Sequence, residues 1–159
     1  VAHGLAWRGG EGADTPLILG YHRVVADLRP DAGGVPGMAV SAETLERHLD
    51  HVGRHRRFVS LDELGERLEA GQAASLAAVT FDDGYLDFEE HAFPLLQRKG
   101  IPAAIFVVTG LLRDGSAFLH DRLYAALAGA LAERGAAGAR ALVAGLLPGA
   151  RLAGARPFA

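Results

Sequence analysis

Cysteine is absent from the 159 residues, which excludes a disulfide framework, a thiolate zinc site and a cysteine nucleophile together. That absence leaves the compartment open, because many exported proteins also lack cysteine. A basic excess is lacking too: 16 Lys and Arg stand against 19 Asp and Glu, for a formal net charge of -3. Nothing in that balance argues for nucleic acid or an anionic membrane as a partner. No apolar run reaches the roughly 20 residues of a membrane span; the longest are interrupted by Gly, Arg or Asp. No basic-then-apolar leader follows Val1, and no repeat of fixed period is found. What is present is the composition of a globular domain or part of one, 50% hydrophobic and 22% charged, too apolar for a disordered tail.

Residues 1–15 are Gly-rich and polar and are expected to form a flexible arm. Pro16 to His22 then reads as a short apolar strand ending in polar groups. Pro30, Gly33, Gly34, Pro36 and Gly37 mark a loop over residues 26–40. Ser41 is a good N-cap, with Thr44 where a capping-box Glu would be preferred. Leu45, Leu49 and Val52 follow at helical spacing, so a helix is expected to about Arg54. Phe58-Val59-Ser60 reads as a short extended piece, and a second helix as running from Asp62 to near Gly71. Ala77 to Phe81 reads as a second buried strand, followed by a helix over residues 86–98 that Gly100 and Pro102 terminate. Ala103 to Val108 reads as a third buried strand. Beyond Leu111 the composition is helical, with breaks near Gly135, Gly138 and Pro148. Strands alternating with helices imply parallel strands covered by helices, an α/β architecture. Three strong strands are too few for a closed barrel, which typically takes about 250 residues.

The sharpest chemical feature is Thr80-Phe81-Asp82-Asp83-Gly84-Tyr85. Two adjacent carboxylates stand at the C-terminal end of a buried strand, the end of a parallel sheet where ligands bind and catalytic side chains gather. Neighbouring carboxylates repel and lose solvation at a core edge, so such a pair commonly holds a metal or divides acid and base roles. Gly84 permits a sharp turn that would bring both side chains to one pocket. The alternative is that the aspartates cap the following helix.

These residues resemble the first motif of the polysaccharide deacetylases, the NodB-homology domains of family 4 carbohydrate esterases. Leu19-Gly20-Tyr21-His22-Arg23-Val24 is similar to the first strand of such domains. Gly100-Ile101-Pro102-Ala103-Ala104-Ile105-Phe106 is similar to their third-strand segment. The resemblance implies a distorted (β/α) barrel, here partial, with residues 16–110 as its N-terminal part and 111–159 as a helical insertion or continuation. It implies removal of N- or O-linked acetyl groups from an acetylated polysaccharide, by a hydrolase classed with those acting on carbon-nitrogen bonds other than peptide bonds. It also implies a divalent metal of the zinc type and makes the cell envelope or the exterior a natural place of action. By position Asp82 matches the family's catalytic base and Asp83 its metal-binding aspartate. Tyr21, His22 and Tyr85 flank them as candidates for substrate binding or for supporting the aspartates.

The family completes its metal site with an H-x-x-x-H pair downstream of the third strand, and here the chain departs from the pattern. After Gly110 the only histidine is His120, beside Asp121, in a stretch that resembles a W-D-R-L segment of some members. The missing pair is expected in a longer chain, and the 159 residues alone are expected to have little activity. The competing reading is an inactive glycan-binding or structural domain. His51 and His55 have the required spacing, with His48 three residues earlier, a metal-binding geometry in other folds. They precede the aspartates, however, and Leu45, Leu49 and Val52 claim the helix's core face, so the trio is expected in solvent. His3 and His91 are read as surface residues, and His22 as sharing the aspartates' rim. A haloacid-dehalogenase phosphatase would need D-x-D, whereas Asp82 and Asp83 are adjacent.

Overall fold

The computed structural model describes residues 15–28 and 35–146. Most of the expected arm, the centre of the 26–40 loop and Pro148 lie outside the described residues. Those described fall into two compact units, residues 15–28 with 36–110, and residue 35 with 111–146.

The first unit is built around β5 (Leu76–Asp83), whose residues 76–81 are all buried. β1 (Leu17–Tyr21) pairs with it in parallel from Leu17↔Ala77 to Tyr21↔Phe81. β6 (Ala103–Val107) pairs in parallel from Val79↔Ala103 to Asp83↔Val107, and β4 (Arg57–Phe58) pairs with Leu76 and Ala77. Because one strand edge accepts one partner per residue, β4 and β6 lie end to end along the edge opposite β1. A separate parallel pair joins β2 (Arg23–Val25) to β3 (Ala39–Ser41).

Period-two alternation sorts β5 into two faces. Val79 and Phe81 pack with Leu45 and Leu49 of α1 (Ala42–Gly53) and with Leu95 and Leu96 of α3 (Phe93–Lys99). Leu76 and Ala78 pack instead with Val59 and with Leu64 of α2 (Leu61–Glu69). Burial on both faces is why this strand reads as an unbroken apolar run.

Local chemistry sets the helix ends. Ser41 Oγ accepts the Thr44 N–H at 3.1 Å, and Ser60 Oγ accepts the Glu63 N–H at 3.1 Å, each satisfying an otherwise unpaired amide of the first turn. Gly100 closes α3 at φ 64°, with its N–H on the Gln97 carbonyl and the Ile101 N–H on the Leu96 carbonyl. The expected helix over 86–98 is not uniform. Residues Phe88–Ala92 form a π turn in which the Phe93 N–H reaches back to the Phe88 carbonyl, and Pro94, which has no N–H to donate, sits in the first turn of α3.

Two expectations need correction. The predicted 26–40 loop contains β3, and Arg23–Val25 adds β2; strands of three residues are too short to show a period. The extended piece expected from Phe58 is borne out in part, as Arg57–Phe58 is a strand of the main sheet. The third strand, expected to be buried, is largely exposed: Ile105 is 43% accessible, Phe106 52% and Val107 46%.

The second unit is helical. α4 (Thr109–Asp114) precedes α5 (Leu119–Leu146), which is broken at Gly135, where φ 64° and ψ -168° leave the helical region. Gly138, the other expected break, lies within helix. No described helix is long and apolar enough to cross a membrane.

Candidate functional site

β1 and β5 are parallel and in register to Tyr21↔Phe81, so the residues that follow, His22 and Asp82, emerge at the same sheet rim. The His22 Nε2 lies 4.0 Å from Asp82 Oδ2, and the two side chains are 42% and 44% accessible. Both are therefore held near each other while open to a ligand. At this separation they attract as charges when His22 is protonated but do not form a hydrogen bond.

The strand ends in an unusual backbone. Asp83 and Gly84 adopt φ 74° and 71° in succession, so Asp83 carries a conformation that non-glycine residues rarely take. Such strain costs about 1–3 kcal/mol and concentrates at functional sites. It ends the alternation of β5 at the second carboxylate. At Gly84 a Cβ would stand 2.8 Å from Val107 Cγ1, so this turn excludes a side chain both by its φ and by its neighbour.

Beneath the rim lies an aromatic stack. Phe81, 1% accessible, has Phe88 edge-on at a centroid distance of 4.7 Å and Tyr21 at 5.6 Å. Pairs of this kind add about 0.5–1.5 kcal/mol beyond area burial, and here they anchor the residue directly before Asp82. Tyr21, a candidate for substrate contact, is buried, and its hydroxyl meets His48 Nδ1 at 3.0 Å. Burial pushes the Tyr21 hydroxyl up to about 12. Desolvation first, then the charges of Arg47 and His51, hold the His48 imidazole below its ordinary pKa. Both shifts favour the neutral pair, in which the hydroxyl donates to the ring.

His48 is exposed, as expected of the trio, and its ring also bonds to the strand end through Tyr21. His51 and His55 are exposed, and their rings meet edge to face at 5.9 Å. Arg54 donates to His51 Nδ1 at 2.9 Å. His91 is partly covered beside Glu90, and His120 stacks on Phe118 near Asp121.

Arg23 and Asp87 were not singled out from sequence. Arg23 Nε donates to Asp87 Oδ2 at 2.7 Å, and the guanidinium lies 5.0 Å above the Tyr85 ring. That places Tyr85 against the start of β2. A pair separated by 64 residues carries no local signal; the only hint was a charged residue next to His22 at a strand end.

A divalent ion would find Asp82, Asp83 and His22 at this rim. Among the described residues, however, no group of three or more His, Asp or Glu side chains is arranged to hold a metal ion. The described residues do not by themselves make a complete metal site.

Residues 70–137 match the model of the polysaccharide deacetylase family, less than half of the chain. No curated protein matches the sequence. Among solved structures, IcaB from Ammonifex degensii is 35% identical with a TM-score of 0.50, over 60% of this chain and 39% of that one. The deacetylase PplD of Streptococcus pyogenes, solved with acetate, is 28% identical with a TM-score of 0.51, over 63% of this chain and 45% of that one. A de-N-acetylase from Aggregatibacter actinomycetemcomitans shares the fold at a TM-score of 0.53 and 22% identity, over 62% of this chain and 39% of that one. The chain thus spans less than half the length of each. It is similar to the polysaccharide deacetylases, and its parallel strands and helices form part of a barrel of their type.

Proposed function

We propose that this chain carries part of the reaction centre of a polysaccharide deacetylase, an enzyme that hydrolyses acetyl groups from an acetylated glycan. The observation that carries the reading is the Asp82-Asp83-Gly84 turn at the sheet rim, which lies within the segment 70–137 matching the family, with His22 4.0 Å from Asp82. Asp82 is assigned as general base: its carboxylate takes a proton from water as the oxygen adds to the acetyl carbonyl carbon. Cleavage of the carbon-nitrogen bond, with the proton held by Asp82 passed to the leaving nitrogen, then leaves acetate and the free amine. His22, 4.0 Å from Asp82, and Tyr85, under Arg23, would form walls of the substrate cleft.

Asp83 is assigned as one ligand of a divalent ion of the zinc type. A catalytic zinc normally takes three protein ligands, so the others would come from outside the described residues. The 159-residue chain alone should accordingly bind zinc weakly and release little acetate.

The experiment is acetate release from an N-acetylglucosamine oligomer with added zinc or cobalt, comparing this chain with a longer one bearing an H-x-x-x-H pair. The longer chain should turn over, and Asp82→Asn should abolish turnover while sparing metal binding. Robust turnover by the short chain would refute the missing-ligand argument, and an active Asp82→Asn would refute the base assignment. Oligomer binding by the longer chain without acetate release would favour a glycan-binding domain.

A further inference from the structure

His22 stands at a bend between two strands, and its 4.0 Å approach to Asp82 is too long for a hydrogen bond to hold the ring in place. Something else must set its position. The next residue, Arg23, gives its Nε–H to Asp87 Oδ2 at 2.7 Å, and the one after, Val24, gives its backbone N–H to Asp87 Oδ1 at 3.3 Å. Val24 is fully buried, and the side chains of Arg23 and Asp87 are only 17% and 10% accessible. Asp87 follows the Asp82-Asp83-Gly84 turn on the same stretch of chain. Tyr85, inside that stretch, supports the Arg23 guanidinium from below at 5.0 Å. One carboxylate thus ties the His22 bend to the segment that carries both aspartates.

We propose that Asp87 is a positioning residue, clamping Arg23 and Val24 so that the His22 ring faces Asp82. The clamp is selective because a largely buried charge pair tolerates loss of one partner poorly, and because the planar Arg fork fixes direction as well as charge. The role in turnover rests on reading the aspartate rim as the reaction centre; the geometry of the clamp does not.

The test is therefore spectroscopic. In the 159-residue chain at one fixed pH, the His22 ring resonances should shift on Asp82→Asn, reporting the proximity of that carboxylate. In an Asp87→Asn background the same change should lose most of its effect on His22, while the other histidines respond as before. Asp87→Glu, which restores the charge, should recover part of the response. Arg23→Lys is the milder second variant should Asp87→Asn fail to fold; it keeps the charge but not the planar donor, and the same loss is expected. A full His22 response in either folded variant would overturn the proposal. In a longer chain that does release acetate, Asp87→Asn should lower kcat by up to about 100-fold, the scale of a small misplacement, with KM little changed. Failure of the acetate assay would leave the resonance test standing, so the two readings fail separately.

Discussion

Replacing Gly84 by Ala probes the turn that ends β5. Two costs add. The backbone at φ 71° is one that L side chains rarely adopt, and holding alanine there costs about 1–2 kcal/mol. The new Cβ would stand 2.8 Å from Val107 Cγ1 and 3.4 Å from Val107 Cβ, an overpacking of the kind that costs about 1–3 kcal/mol. Against these, alanine stiffens the unfolded chain, which returns about 0.4–1 kcal/mol. The net expectation is a loss of about 1–5 kcal/mol. Urea unfolding followed by circular dichroism measures it. Val107→Ala removes the clashing methyl, so the double variant should recover the packing share and retain the backbone share. That coupling separates the two causes. A Gly84→Ala loss below about 0.5 kcal/mol, the range of neutral surface changes, would refute the reasoning, because it would mean that the turn relaxes freely.

Two further expectations concern other parts of the sheet. The Tyr21 hydroxyl, raised to about 12 from 10.0, ionises later in the folded chain than in the unfolded one, so the folded state holds more protons between those values. Stability should therefore fall as pH rises from about 10 to 12, by a total of about 2–3 kcal/mol at ~1.4 kcal/mol per pKa unit; identical alkaline unfolding curves for the parent and Tyr21→Phe would count against it. Ile105, Phe106, Val107 and Val108 form an exposed apolar run at and just beyond β6, which predicts self-association of the 159-residue chain. Phe106→Lys should reduce that association in sedimentation experiments, and a parent that stays monomeric at every concentration would contradict the prediction.

Features whose causes lie within a few residues could be read from the sequence alone. Ser41 caps its helix through a neighbour three positions on, Gly100 stops α3 through its own backbone freedom, and β5 announces itself by apolar residues on both faces. The Asp82-Asp83-Gly84 turn belongs to this class, since chain order alone puts it at the end of a buried strand. What tertiary structure decided are relations between distant residues. β5 and β6 look alike as apolar runs, yet one is buried and the other exposed, because burial depends on what packs against a strand and not on its composition. β2 and β3 hold together only as partners, each too short to show a period. The Arg23–Asp87 pair, the Tyr21–His48 contact and the approach of His22 to Asp82 span 64, 27 and 60 residues (82 − 22). None has a local signature, because a charge or a ring finds its partner only after the sheet has brought the strand ends to one rim.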